Sequence, residues 1–246
     1  METKMKIKTN TFAADEVNRL ELRLAAADVE IKEAVGREIR VEAENLAEER
    51  YRCELRDGML VVHYQFKNAL INLPNQQTVH ITLYIPSGMF FESIVLEAGT
   101  GKVGMEEVPL SCQKLNAEIG AGKWKAARLS VQKRLSVEIG AGKVKMKDVT
   151  AGSLSVHCGV GESVYRGRVN GELKVSCGVG SCKFQLENKE CDFDYKLSCA
   201  LGNIRLNGNK SGCLGNQKIS SNGKVLGKAV LECGLGSIEL DTLLSE

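Results

Sequence analysis

Two ten-residue strings, "NAEIGAGKWK" at 116–125 and "SVEIGAGKVK" at 136–145, carry the residues most suggestive of chemistry. A glycine-rich loop ending in lysine can cradle phosphate. A nucleotide-binding loop, however, needs Gly-x-x-x-x-Gly-Lys-Ser/Thr once, between a strand and a helix, with the hydroxyl on magnesium. Here Lys123 is followed by Trp124 and Lys143 by Val144, and no helical pattern follows. A dinucleotide fingerprint fails for the same reasons. Both strings therefore read as turns, and no cofactor is expected.

The other reactive residue types resolve in the same way. Glu97, Glu118 and Glu138 recur one repeat apart. Repetition alone gives Glu118 and Glu138 the carboxylate separation of a retaining glycosidase, and no aromatic sugar platform accompanies them. Cys158, Cys177, Cys199 and Cys233 fall where sister repeats carry Ile119 and Ile139, so they read as small buried hydrophobes. Cys177 and Cys182 are separated by Gly-Val-Gly-Ser and not by the two residues usual in zinc sites, so no metal is expected. His63, His80 and His157 have no evident Ser, Cys or Asp partner. Catalytic residues: none are expected, and the chain reads as non-enzymatic.

What remains is charge. Lys and Arg number 33 against 31 Asp and Glu, a net charge of +2. That balance conceals an asymmetry: 13 basic against 18 acidic residues over 1–111, 13 against 5 over 112–185, and 7 against 8 over 186–246. Lys102, Lys123, Lys125, Lys143 and Lys145, extended by Lys147, Arg128, Lys133 and Arg134, form a candidate anion-binding stripe. The simpler expectation is that the glutamates on the same repeats neutralise them. Trp124 is the only tryptophan, and it is assigned inward, so nucleic acid is an unlikely ligand for want of stacking aromatics.

Strands must position these residues. Gly-x-Gly recurs at Gly99/Gly101, Gly120/Gly122, Gly140/Gly142, Gly159/Gly161, Gly178/Gly180 and Gly234/Gly236, with Ala200/Gly202 a degenerate copy. Each copy follows a period-two alternation such as Leu135-x-Val137-x-Ile139 and precedes another such as Val144-x-Met146. A unit of about twenty residues cannot bury its apolar face alone but can do so against copies of itself. The expectation is an all-β, single-domain parallel β-solenoid, right-handed by the general preference of parallel crossovers. Its parts are irregular first coils over 10–92, regular coils over 93–207, and a C-terminal coil with a long turn over 208–241. The stretch 37–56 is rich in helix formers, yet its alternation favours strands.

The order "ADVEI" (27–31), "ITLYIP" (81–86), repeated "EIGAGKV"-like coils, "YKLSCALGNIRLNG" (195–208) and "VLECGLGSIEL" (230–240) resembles a bacterial β-strand-repeat family of unknown function. Its members are often labelled "putative adhesin". The resemblance implies a parallel β-solenoid without established catalytic residues.

Residues 1–11 lack the apolar run of a signal peptide, and nine cysteines without a secretory signal suit a reducing compartment. The expected location is cytoplasmic, with secretion or surface display as the alternative. The expected function is a binding or scaffolding module for a protein or cell-envelope component. The alternative is a binder of an anionic polymer or membrane surface through residues 112–185.

Overall fold

The computed structural model describes residues 7–65, 78–211, 215–221 and 224–243. It is all-β and solenoid-like, and its buried apolar side chains form one contiguous cluster running the length of the stack. Each Gly-x-Gly lies at a corner between a strand that approaches it and one that departs. The approach strands align in register, with Leu135 beside Leu115 and Leu154, and Ile139 beside Ile119 and Cys158. The departure strands do likewise, with Trp124 between Val103 and Val144. Period-two alternation therefore turns one side-chain set inward on every coil, and the inward columns fuse into the core.

The corner requires small residues because neighbouring coils touch there through backbone alone. The amides of Gly120, Gly140 and Gly159 donate to the carbonyls of Ala98, Ile119 and Ile139 at 2.8–2.9 Å. A second corner is turned by left-handed residues, Arg128 at φ 55° and Asp148 at φ 54°. These two positions fall in register between the matched pairs Ala127/Lys147 and Leu129/Val149. Arg128 holds its corner by donating from Nη2 to the carbonyls of Glu106 and Glu107 on the preceding coil, 2.7 Å each.

Chain order and stacking order part company at both ends. The strands Arg19–Ala26 and Asp28–Ala34 do not begin the stack. They lie between Phe90–Thr100 and Lys102–Met105 on one side and Met59–Tyr64 and His80–Pro86 on the other. At the far end, Gly227–Cys233 and Ser237–Leu243 insert between the coil of Leu173–Cys177 and Ser181–Lys189 and the coil of Phe193–Cys199 and Asn203–Leu206. The segment 208–241, expected as a C-terminal coil with a long turn, supplies most of this inserted coil. It also holds the antiparallel strands Asn209–Ser211 and Gly215–Ile219. Antiparallel strands also cover the near end, where Glu38–Glu44 pairs with His80–Pro86 and Tyr51–Arg56 with Met59–Tyr64.

Local chemistry agrees with these pairings. The stretch 37–56 forms the strands Glu38–Glu44 and Tyr51–Arg56 around a short 3-10 turn at Glu48–Arg50. Asn207 and Gly208 both take positive φ, 49° and 78°, between Asn203–Leu206 and Asn209–Ser211, the backbone of a type I′ hairpin. Asp57 and Gly58 do the same at 46° and 77°. Pro86 ends its strand. The pair Asn222–Gly223 lies outside the described residues.

Candidate functional site

Three features of the Gly-x-Gly corner could do chemistry. They are the lysines just beyond it, the residue between its glycines, and the side chains it buries.

Lys123 lies in register between Lys102 and Lys143, and Lys125 beside Lys145, so the lysines form two adjacent outward columns on the departure sheet. The first column ends at Glu162, the register partner of Lys143, and the second at Val164, that of Lys145. Lys143 pairs with Glu162 at 3.0 Å, Lys102 approaches Asp28 at 3.9 Å and Lys125 approaches Glu106 at 4.0 Å. Glu97, Glu118 and Glu138 stack as expected on the approach sheet, beside Arg23 at one end and His157 at the other. Arg23 bridges Glu21 at 3.0 Å and Glu97 at 3.5 Å. The expected neutralisation of the lysines by Glu118 and Glu138 is therefore corrected. The corner separates the two columns, and among the described residues Lys123 and Lys145 have no ion pair.

The middle residue of each Gly-x-Gly points outward. Stacked by amide-to-carbonyl bonds of 2.7–3.0 Å, these residues run Ala121, Ala141, Val160, Val179, Leu235, Leu201. Val160, Val179, Leu235 and Leu201 are 66%, 57%, 61% and 71% exposed and adjacent in space, an apolar ridge along half of the corner. An open groove beside it is floored by Gly161, Gly180 and Gly236 and edged by Ser181 and Ser237. Ser176, Glu232 and Ser198 border the other side. The ridge escapes notice in sequence because its members lie dispersed within the repeats and reorder in space.

Inside the corner, Cys158, Cys177, Cys233 and Cys199 stack in that order, all buried, as the sequence implies. Cys182 arrives from the departure strand, and its sulfur lies within 4.8 Å of both Cys158 and Cys177. The thiols of Cys177 and then Cys182, with the amides of Gly161 and Ser181, stabilise a Cys158 thiolate and lower its pKa. Contact with Cys158 pushes the Cys177 thiol upward, and contacts with Cys158 and then Cys177 push Cys182 upward. Cys112 is buried in a strand, and burial alone pushes its thiol up to about 12. Cys213 lies outside the described residues. Trp124 points inward as expected, fully buried, with Nε1 donating to Met105 Sδ at 3.0 Å. His63 and Gln65 share a hydrogen bond of 3.0 Å.

A family model described as Toastrack DUF4097 matches residues 17–225, most of the chain. The chain belongs to the Toastrack DUF4097 family. The residues matched to the Toastrack family contain the lysine columns, Val160, Val179, Leu201 and the three clustered cysteines. Solved structures similar to this Toastrack chain include a "putative cell adhesion protein" from Clostridium sporogenes, 17% identical, covering 98% of this chain and 100% of that one with a TM-score of 0.45. A "putative adhesin" from Bacteroides fragilis is 15% identical, covering 96% and 97% with a TM-score of 0.47. A "Putative lipid binding protein" from Parabacteroides distasonis is 14% identical, covering 96% of each chain with a TM-score of 0.46. No curated protein matches. Among the described residues no helix is long and apolar enough to cross a membrane.

Proposed function

We propose that this protein is a non-enzymatic binding module whose contact face is the apolar ridge of Val160, Val179, Leu235 and Leu201. It is read as one domain, a right-handed parallel β-solenoid of about twenty residues per coil, acting as a rigid mount for that face. The carrying observation is the exposure of four large aliphatic side chains on one line, where a lone exposed aliphatic would need no explanation. Their borders are polar, which gives the apolar centre and polar rim of a protein–protein interface. The partner is a protein or a cell-envelope component. Nine cysteines without a secretory signal suit a cytoplasmic location, and surface display is the alternative.

The test is a photo-cross-linking residue at Val179 in the source cell. One dominant adduct is expected, reduced at least tenfold when Leu201 and Leu235 are both changed to Lys. Cross-linking that ignores those two changes would remove the ridge as the contact face.

A second reading is supported by Lys123 and Lys145. With Lys102, Lys125 and Lys143 they form a compact cationic block suited to an anionic polymer or membrane surface. Counterion release makes such binding steeply salt-dependent. Tight association with DNA or anionic vesicles, lost between 50 and 200 mM salt and abolished by Lys→Glu changes at 123 and 145, would favour this reading over the ridge.

A further inference from the structure

The two inward positions that flank each corner are apolar through the regular coils: Ile119 with Trp124, then Ile139 with Val144. In the next two coils the same positions become Cys158 with Ser163, then Cys177 with Cys182. Beyond them Ile238 and Ile204 restore an aliphatic on the departure side. Four polar or soft side chains are thus collected at one level of a core that is otherwise filled by aliphatics and aromatics. Filling space does not require this, since Ile and Val do so one coil away.

The packing of three sulfurs marks the level as a ligand site, and an unsatisfied hydroxyl lies in the register beside it. The sulfurs of Cys158, Cys177 and Cys182 all lie within 4.8 Å of one another, close to the spacing of about 4 Å that three metal–sulfur bonds of ~2.3 Å impose. Ser163, the register neighbour of Cys182, is fully buried, and its Oγ has no hydrogen-bond partner among the described residues. An unsatisfied buried hydroxyl is costly and calls for an explanation.

We propose that Cys158, Cys177 and Cys182 bind a single soft d10 cation, copper(I), inside the corner. Thiolates select soft ions, and neither imidazole nor carboxylate joins the three sulfurs. Zinc completes a shell of four; Cys233 stacks on Cys177 in the next coil but does not join the three sulfurs that lie within 4.8 Å of one another, which leaves Ser163 Oγ, a weak donor, as the further side-chain ligand at this level. Copper(I) is content with three. Each coordinating thiol releases its proton to solvent, and neither copper nor sulfur changes oxidation state.

The test supplies copper(I) anaerobically to the full chain in competition with bicinchoninate, with zinc in a parallel arm. One copper(I) per chain is expected. Retention should fall at least tenfold in Cys182→Val and in Cys158→Ile, changes that install the residues sister coils already carry and so preserve the stack. Circular dichroism checks that they fold. Cys191→Ser, at an exposed site, should leave retention unchanged. Absence of stoichiometric copper, or equal retention by a folded Cys182→Val variant, would overturn the site. Zinc held in preference to copper with the same variant pattern would overturn the choice of ion. A disulfide between any two of the three in metal-free, aerobically isolated protein would show a redox pair in place of a metal site.

Discussion

Cysteine shows how far a residue's environment can depart from its sequence setting. Cys112 sits between Ser111 and Gln113 and looks exposed, yet it points into the core beside Phe91 and Val131. Cys53 is half-buried, and burial, partly offset by a hydrogen bond from Tyr51, pushes its thiol up to about 11. Cys191 is exposed. Because the thiolate is the nucleophile, accessibility and pKa together set the order of alkylation. At pH 8 Cys191 should label before Cys53. The Cys53 rate should then climb about tenfold per pH unit toward pH 11, as its thiolate fraction grows. Cys112, Cys158, Cys177 and Cys182 should label only after denaturation. Peptide mapping by mass spectrometry reads all of these, and a Cys53 rate that levels off near pH 9 would contradict the assigned burial.

Among the elements, the glycine corner has a requirement that can be separated from mere glycine content. A Cβ on Gly180 would strike the Gly161 carbonyl of the neighbouring coil and lie 2.9 Å from Cys158 Sγ. A Cβ on Gly104, within a departure strand, would meet nothing nearer than Val29 O at 3.8 Å. Gly180→Ala should therefore destabilise by roughly 2–4 kcal/mol through overpacking against backbone that cannot yield. Gly104→Ala should be neutral or slightly stabilising, since it only reduces the freedom of the unfolded chain. Urea unfolding of the two variants checks the contrast, and equal midpoints would refute it. The strands within 37–56 make a related point. Helix propensity favoured the wrong state there, and burial of Ile39, Val41 and Ala43 on one face decided for the strand.

For the molecule as a whole, the decisive feature is that Arg19–Ala26 with Asp28–Ala34, and Gly227–Cys233 with Ser237–Leu243, are each held between two coils. A chain end usually frays. Here Leu231 is paired with Val175 on one side and Leu197 on the other, so opening it requires breaking two ladders. Amide exchange in Gly227–Cys233 should accordingly be as slow as in Leu173–Cys177, despite lying close to the C-terminus. Pairing on one side only would give exchange nearer to that of Gly215–Ile219, an antiparallel outer strand. Hydrogen exchange with peptide-level resolution distinguishes the two.

The repeated corner, the strand alternation, the inward course of Trp124 and the four-cysteine column were all determined by sequence alone. Each depends on period and register, which a linear repeat states directly. Three things needed the tertiary structure. The capture of the terminal coils, the convergence of Cys182 and Ser163 on Cys158 and Cys177, and the ridge from Val160 to Leu201 all depend on which coil lies against which. Backbone pairing accepts any coil of suitable length as a neighbour. Stacking order is therefore settled by how the covering strands and the whole core pack together, and no local spacing encodes it.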